Sequence, residues 1–351
     1  MSIKIFFIIL QWIRIILFCS SNIREEIGNC RVSFARFAYS NSLVKNHLYY
    51  LDMQKKHLFL ILLIFGTSFW GVSFTFVKVG IGNGSPFTFL FYKFLIAAII
   101  LSILFFKKLN QINRHTVMIS FFIAVPLCAG NVLQSIGLKF TSVSNSAFLT
   151  GLDVLLIPIL KFFVYKKKVD KKIWPASVLA LIGLYLIVAK NGLSLNVGDI
   201  WIITCAFAFA FYVLQVGKYA DLTNPMPSVI LVMTFCAFGC LLGALIDPNS
   251  KFISGDFDFW KGVLFAAIFA TAYMYSIQNL AQRFLSEEKI AMTYLFEPVV
   301  ATSAGILILG EPFSKELIIG GSLIIISMLI VEVKISPMKI IRSNDSLRNS
   351  K

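Results

Sequence analysis

Ten stretches of roughly twenty apolar residues, separated by connectors too short to fold by themselves, run between residues 58 and 333. They occupy 58–79, 87–106, 117–138, 146–165, 173–189, 200–216, 229–246, 259–280, 290–309 and 317–333, with a polar break at 190–199. A hydrocarbon layer of ~30 Å takes ~20 residues of helix to cross. Lipid offers backbone groups no hydrogen-bond partner, so each crossing must close its bonds internally, as a helix does. The expected fold class is therefore an all-α polytopic membrane protein with ten transmembrane helices. The connectors carry turn residues, as in Gly82-Asn83-Gly84-Ser85-Pro86 and Asn224-Pro225-Met226-Pro227. With 58% hydrophobic and 14% charged residues, the chain lacks the polar surface of a soluble domain, which carries about 25% charge.

The net charge of +15 raises nucleic acid as a partner, and the placement of the basic residues excludes it. They stand in short clusters between apolar runs, as topology signals do. With the start of the first span inside, the alternate loops and the tail hold 18 Lys and Arg on that side, against 6 on the other. Both ends of the core are thus expected in the cytoplasm, and the lipid bilayer is the expected partner of the surface.

The first 52 residues stand apart. The apolar run 3–18 is short and interrupted by Gln11 and Arg14. Met53-Gln-Lys-Lys-His enters the first span with the expected charge and reads as the natural start. An extra membrane-associated helix in 1–52 is the alternative. At the other end, 336–351 reads as a basic cytoplasmic tail.

Sliding the sequence by 144 residues brings two stretches into ungapped register. Gln134 meets Gln278, Lys139 meets Arg283, Ala147 meets Ala291, Asp153 meets Glu297 and Lys171 meets Lys315. Two five-helix repeats follow, 53–190 and 191–335. A repeat with an odd number of spans enters the membrane from opposite sides in its two copies, so the repeat is inverted. Secondary transporters are commonly built this way, with the substrate near mid-membrane between the halves.

Several stretches also carry a resemblance. Phe65-Gly-Thr-Ser-Phe-Trp-Gly in the first span, the run from Ser144 to Pro158 in the fourth, Phe296-Glu-Pro-Val-Val-Ala with Leu309-Gly-Glu-Pro in the ninth, and Ile319-Gly-Gly in the tenth resemble the EamA-like members of the drug/metabolite transporter superfamily. The likeness covers residues 55 to about 335. Where many members carry Gly-Glu in the first half, this chain has Tyr165-Lys-Lys-Lys. The resemblance implies transport of a small metabolite, such as an amino acid, an amine or a nucleoside-type derivative like S-adenosylmethionine, and leaves the cargo unnamed.

Asp153 and Glu297 are the first candidates for a site. A carboxylate at mid-span costs ~2.5–3.5 kcal/mol on insertion scales, so it faces a wet cavity, holds a proton or has a partner. Either acid is placed to meet a substrate ammonium or to exchange a coupling proton; the competing reading is a neutral acid pinning two helices. Gln134, Gln278 and Asn131, with Asn279 beside them, offer both donors and acceptors to a zwitterion, or serve as interhelical glue. Trp70, Tyr212 and Tyr275, along with Tyr92 and Tyr273, are candidate cavity aromatics. Trp70 lies between Gly66 and Gly71, where two helices can approach. Lys93 and Lys161 are expected to snorkel to the interface.

Other chemistries find no support in the sequence. The six cysteines show no metal-ligand pattern, and Cys128, Cys205, Cys236 and Cys240 lie in apolar runs as small hydrophobes. His47, His57 and His115 fall outside the spans, so no catalytic constellation is expected and the chain reads as no enzyme. No phosphate loop appears, which leaves an ion or substrate gradient as the energy source. The expected function is a secondary transporter working by alternating access in the cell membrane, without a cofactor, as a monomer or homodimer. A membrane-embedded accessory protein, flippase or enzyme for lipid-linked substrates is the alternative.

Overall fold

The computed structural model describes residues 42–82, 84–141, 143–189, 196–300, 303 and 315–332. The expected extension 1–52 falls mostly outside them, as do the tail 336–351, the Gly-Glu motif at Gly310 and Glu311, and most of the polar break at 190–199.

Among the described residues the regular elements are helices. The first half holds α1 (Ser42–Ile81), α2 (Pro86–Leu104), a 3-10 turn (Phe106–Gln111), α3 (Arg114–Phe140), α4 (Val143–Thr150), α5 (Asp153–Phe163) and α6 (Ile173–Ala189). The second holds α7 (Val197–Tyr219), α8 (Pro225–Ile246), α9 (Phe257–Phe265), a π-helical segment (Ala266–Tyr273), α10 (Met274–Ala281), α11 (Glu287–Tyr294) and α12 (Lys315–Glu332). Seven helical stretches are long and apolar enough to cross a membrane, α4–α5 and α9–α10 each counting as one. The apolar cores of α6 and α12, Ile173–Ile187 and Ile318–Val331, are shorter. The segment opened by α11 is helical again at 296–300.

Local chemistry sets the ends of these helices. α1 stops at Gly82, whose φ of +46° places it in the left-handed region that glycine tolerates. Ser85 caps α2 by accepting from the Thr88 N–H, with Pro86 at the first helical position. Ser85 also hydrogen-bonds Asp247 at the end of α8 and holds that carboxyl below its ordinary range. The start of α7 lies earlier than hydropathy alone suggests. Asn196 and Asp199 form a capping box, Asp199 accepting from the Asn196 N–H at 2.9 Å, and draw the helix back to Val197. Thr141 donates to the other Asp199 oxygen at 2.6 Å, so an acid expected in a solvated break is a buried cap.

Polarity is distributed inside out. Ile103, Phe122, Phe163, Phe238, Leu245 and Ile246 are exposed, whereas Thr67, Ser120, Asn131, Asp153 and Gln278 are buried. In water such an apolar exterior would drive association; around a helix bundle it is the surface a hydrocarbon layer wets. Small residues let helices meet, since lipid gives no hydrophobic push between them. Gly183 of α6 and Gly320 of α12 face each other so closely that a Cβ on either would land on the carbonyl of the other.

Packing recurs along the chain. α3 lies on α7 as the composite α9–α10 lies on α1, α2 pairs with α8, α5 with α11 and α6 with α12. Moving both members of a pair five segments along returns either the same pair or another observed one. The basic residues in register repeat a role as well. Lys139, ending α3, donates to the Gly84 carbonyl at 3.2 Å before α2, and Arg283, after α10, donates to Ala220 and Thr223 carbonyls before α8.

Candidate functional site: a polar cavity at two helix breaks

Two crossings break at matching positions. α4 ends at Thr150, Gly151 and Leu152 turn, and α5 begins on Asp153. α11 ends at Tyr294, Leu295 turns, and helix resumes at 296 with Glu297 and Pro298 following. Proline lacks the N–H a helix interior needs, and irregular backbone is tolerated at membrane depth where it is buried in protein or lines a cavity. Each acid thus sits just past a break, 4% exposed for Asp153 and 8% for Glu297.

Both acids line one cavity between the helices. Trp70 of α1, Asn131 and Gln134 of α3, Tyr212 of α7, and Tyr275 and Gln278 of α10 complete the predicted set on its walls. All eight residues singled out by sequence as substrate contacts face the same space. Val77 and Leu138, near the ends of α1 and α3, line it too, while Lys161 of α5 pairs with Glu287 and Glu288 of α11.

The aromatic wall is held by specific bonds. Trp70 donates its indole N–H to the Ala270 carbonyl at 2.7 Å, within the π segment, whose wider turn rearranges the usual backbone ladder. Its ring meets Tyr275 edge-on at 5.7 Å and Tyr294 at 4.9 Å, and Tyr275 meets Tyr212 at 5.7 Å. Gly66 lets α1 close onto Met274 and Tyr273, beside this wall. Asn131 donates to Leu127 O at 2.9 Å and to the Tyr275 hydroxyl at 3.3 Å, joining two positions that the 144-residue shift superimposes. Gln134 donates to Thr150 at 3.3 Å, and Gln278 to Gln282 at 3.1 Å. Among the described residues, three buried atoms of the lining side chains have no hydrogen-bond partner: Asp153 Oδ1, Gln278 Oε1 and the Tyr294 hydroxyl. Polar groups are rarely left so.

Other candidates are placed elsewhere. Tyr92 donates to Phe252 O at 2.6 Å in an aromatic cluster near the start of α2, and Tyr273 to Leu62 O at 3.1 Å. Asn279 supports the site from behind through the Tyr212 hydroxyl at 3.4 Å. The two intramembrane lysines correct the snorkelling expectation. Lys161 pairs with Glu287 at 2.7 Å and Glu288 at 2.8 Å. Lys93 is 7% exposed, donates to Asn131 Oδ1 at 2.6 Å and lines the cavity. Tyr294 and Thr150 also line it. Their signal was spacing: Tyr294 precedes Glu297 by three residues and Thr150 precedes Asp153 by three, the interval that shares a helix face. Cys128 of α3 lies 3.8 Å from Cys240 of α8, and among the described residues no group of His, Cys, Asp and Glu has metal-binding geometry.

The chain has relatives. The family model described as the EamA-like transporter family matches residues 57–189 and again 196–333. An uncharacterized transporter of Archaeoglobus fulgidus is 28% identical over 317 residues, which is 89% of this chain and 95% of the relative. The uncharacterized transporter YyaM of Bacillus subtilis is 26% identical over 286 residues, 78% of this chain and 93% of the relative. A solved crystal structure superposes with a TM-score of 0.64 at 14% identity, spanning 79% of this chain and 96% of its own, and shares the fold. On the double family match and the cavity-lined helical bundle together, the chain belongs to the EamA-like transporter family, a group of multi-pass membrane transporters.

Proposed function

We propose that the protein is a ten-span secondary transporter, built of two inverted five-helix halves at 53–190 and 191–335, that carries a small organic metabolite across the cell membrane by alternating access. The cargo class is an amino acid, an amine or a nucleoside-type derivative, and the site is the cavity at the two breaks. Asp153 and Glu297 take its cationic group or the coupling proton, the amides Asn131, Gln134 and Gln278 orient it, and Trp70, Tyr212 and Tyr275 pack against it. The core termini face the cytoplasm.

The convergence of all eight side chains on one cavity carries this reading, with Asp153 Oδ1 left without a protein partner. The family match in two halves and the packing that recurs every five segments support the repeat. On the topology that the charge bias favours, the cluster of Lys161, Glu287 and Glu288 lies toward the cytoplasmic face.

Uptake into proteoliposomes tests the proposal, using labelled amino acids, amines and nucleoside-type derivatives with and without an imposed proton gradient. Saturable uptake of at least one compound is expected in the wild type. Asp153→Asn is expected to abolish that uptake or to uncouple it from the gradient. Equal uptake by the variant would return Asp153 to a structural role. Failure of the folded wild type to move any panel member, with flipping of a labelled lipid instead, would favour the flippase alternative.

A further inference from the structure

We propose that Lys93 and Asn131 form an anion subsite, so that the cargo bears a carboxylate in addition to a cationic group and is a zwitterion of the amino-acid type. The inference rests on the transport site proposed above and narrows its substrate class. Lys93 reaches the cavity from α2, seven residues past Pro86 and well inside the apolar span. Among the described residues its ammonium meets the Asn131 amide oxygen at 2.6 Å and the face of Phe94 at 4.6 Å, and no carboxylate. An ammonium has three donors, and burying one without an anionic partner is costly. A bound carboxylate supplies the missing charge at this point of the wall.

The groups of opposite sign approach from separate walls. α2 packs on α8 and the π segment, whereas α5, carrying Asp153, packs on α7 and α11. Lys93 thus lines the cavity from one group of helices, and Asp153 and Glu297 line it from another. A simple amine would leave Lys93 unanswered, and a simple carboxylic acid would leave the two acids unanswered. A molecule carrying both groups answers both. Asn131 holds Lys93 in place while its own N–H groups are engaged by Leu127 O and the Tyr275 hydroxyl, so the ammonium arrives oriented.

The test measures binding by purified protein in lipid nanodiscs, read by quenching of tryptophan fluorescence or by isothermal calorimetry. Each amino acid of a panel is compared with its decarboxylated amine and its deaminated acid. Wild type is expected to bind one or more amino acids about tenfold or more tighter than either partial analogue, the worth of one charge-assisted hydrogen bond. In Lys93→Met the advantage over the amine should fall to within about threefold, while Lys93→Arg keeps most of the advantage. Asn131→Asp offers an independent check, because a built-in carboxylate beside Lys93 competes with that of the cargo. The ratio of amino-acid to amine affinity should fall there too, even where Lys93→Met folds poorly. An amine bound as tightly as the amino acid by wild type, or an unchanged ratio in both variants, overturns the subsite. Asp153-dependent uptake of amines alone would overturn it and leave the transport reading standing, whereas absence of any saturable uptake would remove both.

Discussion

At the scale of single residues, the site depends on side chains that satisfy one another inside an apolar bundle. Trp70 shows this best, since its indole N–H caps a carbonyl of the π segment while its ring forms cavity wall. Trp70→Phe keeps most of the ring and deletes the donor. The Ala270 carbonyl would then be buried without its partner, a loss of about 1–3 kcal/mol. We expect a lower unfolding temperature in detergent and weaker cargo binding, both measurable on one preparation. Trp70→Phe with unchanged stability would mean that the indole bond is dispensable to the π segment. The acids were legible in the sequence because an ionisable group at mid-span has few inexpensive explanations, and both line the cavity. Lys93 was not, because a long aliphatic stem makes an interfacial placement equally reasonable. Its burial depends on Asn131, which lies 38 residues away in sequence, and no local pattern announces such a pairing.

At the scale of elements, the breaks after α4 and α11 convert ordinary crossings into walls with ends directed at the cavity. Hydropathy registers a crossing of sufficient length and is insensitive to a two-residue turn within it, so 146–165 reads as one span, as Asn145–Phe163 also does in the structure, while the turn at Gly151 and Leu152 goes unregistered. The π segment is equally hidden, since Ala266–Tyr273 reads as ordinary apolar helix. The contact between α5 and α11 rests on Lys161 with Glu287 and Glu288, at side-chain exposures of 12% or less. Removing one partner strands buried charge, which costs about 3–5 kcal/mol in well-buried pairs. Lys161→Met is thus expected to lower thermal stability sharply. Adding Glu287→Gln and Glu288→Gln to that variant should recover much of the loss, because no net charge is then left buried. A triple variant no more stable than the single one would show that the pairing itself, and not charge balance, joins the two helices. At the α6–α12 crossing, Gly320→Leu forces a side chain onto the Gly183 carbonyl. A loss of about 1–3 kcal/mol or a local separation of the helices is expected, seen as a lower melting temperature with the cavity aromatics undisturbed.

At the scale of the whole molecule, the sequence made the class readable, and the halving proposed above rests on a different kind of mark. Lipid imposes a length and a polarity on every crossing, and these leave a mark in composition that needs no partner to interpret. The halving is marked by sparse polar matches, and several of them carry parallel roles, as with Lys139 and Arg283 bonding the carbonyls of equivalent connectors. The inversion proposed for the halves makes a distinct prediction. Lys171 and Lys315 occupy the same position of the two repeats, both exposed, one before α6 and the other at the start of α12. An inverted repeat puts equivalent positions on opposite faces of the membrane, and the charge bias puts Lys171 inside. In a background freed of its six native cysteines, Lys315→Cys should react with a membrane-impermeant maleimide on intact cells, and Lys171→Cys only after permeabilisation. Reaction of both from the same face would mean that the halves are parallel or that the crossing between them is miscounted. The reverse pattern would keep the inversion and flip the molecule, placing the cluster of Lys161, Glu287 and Glu288 on the outer side.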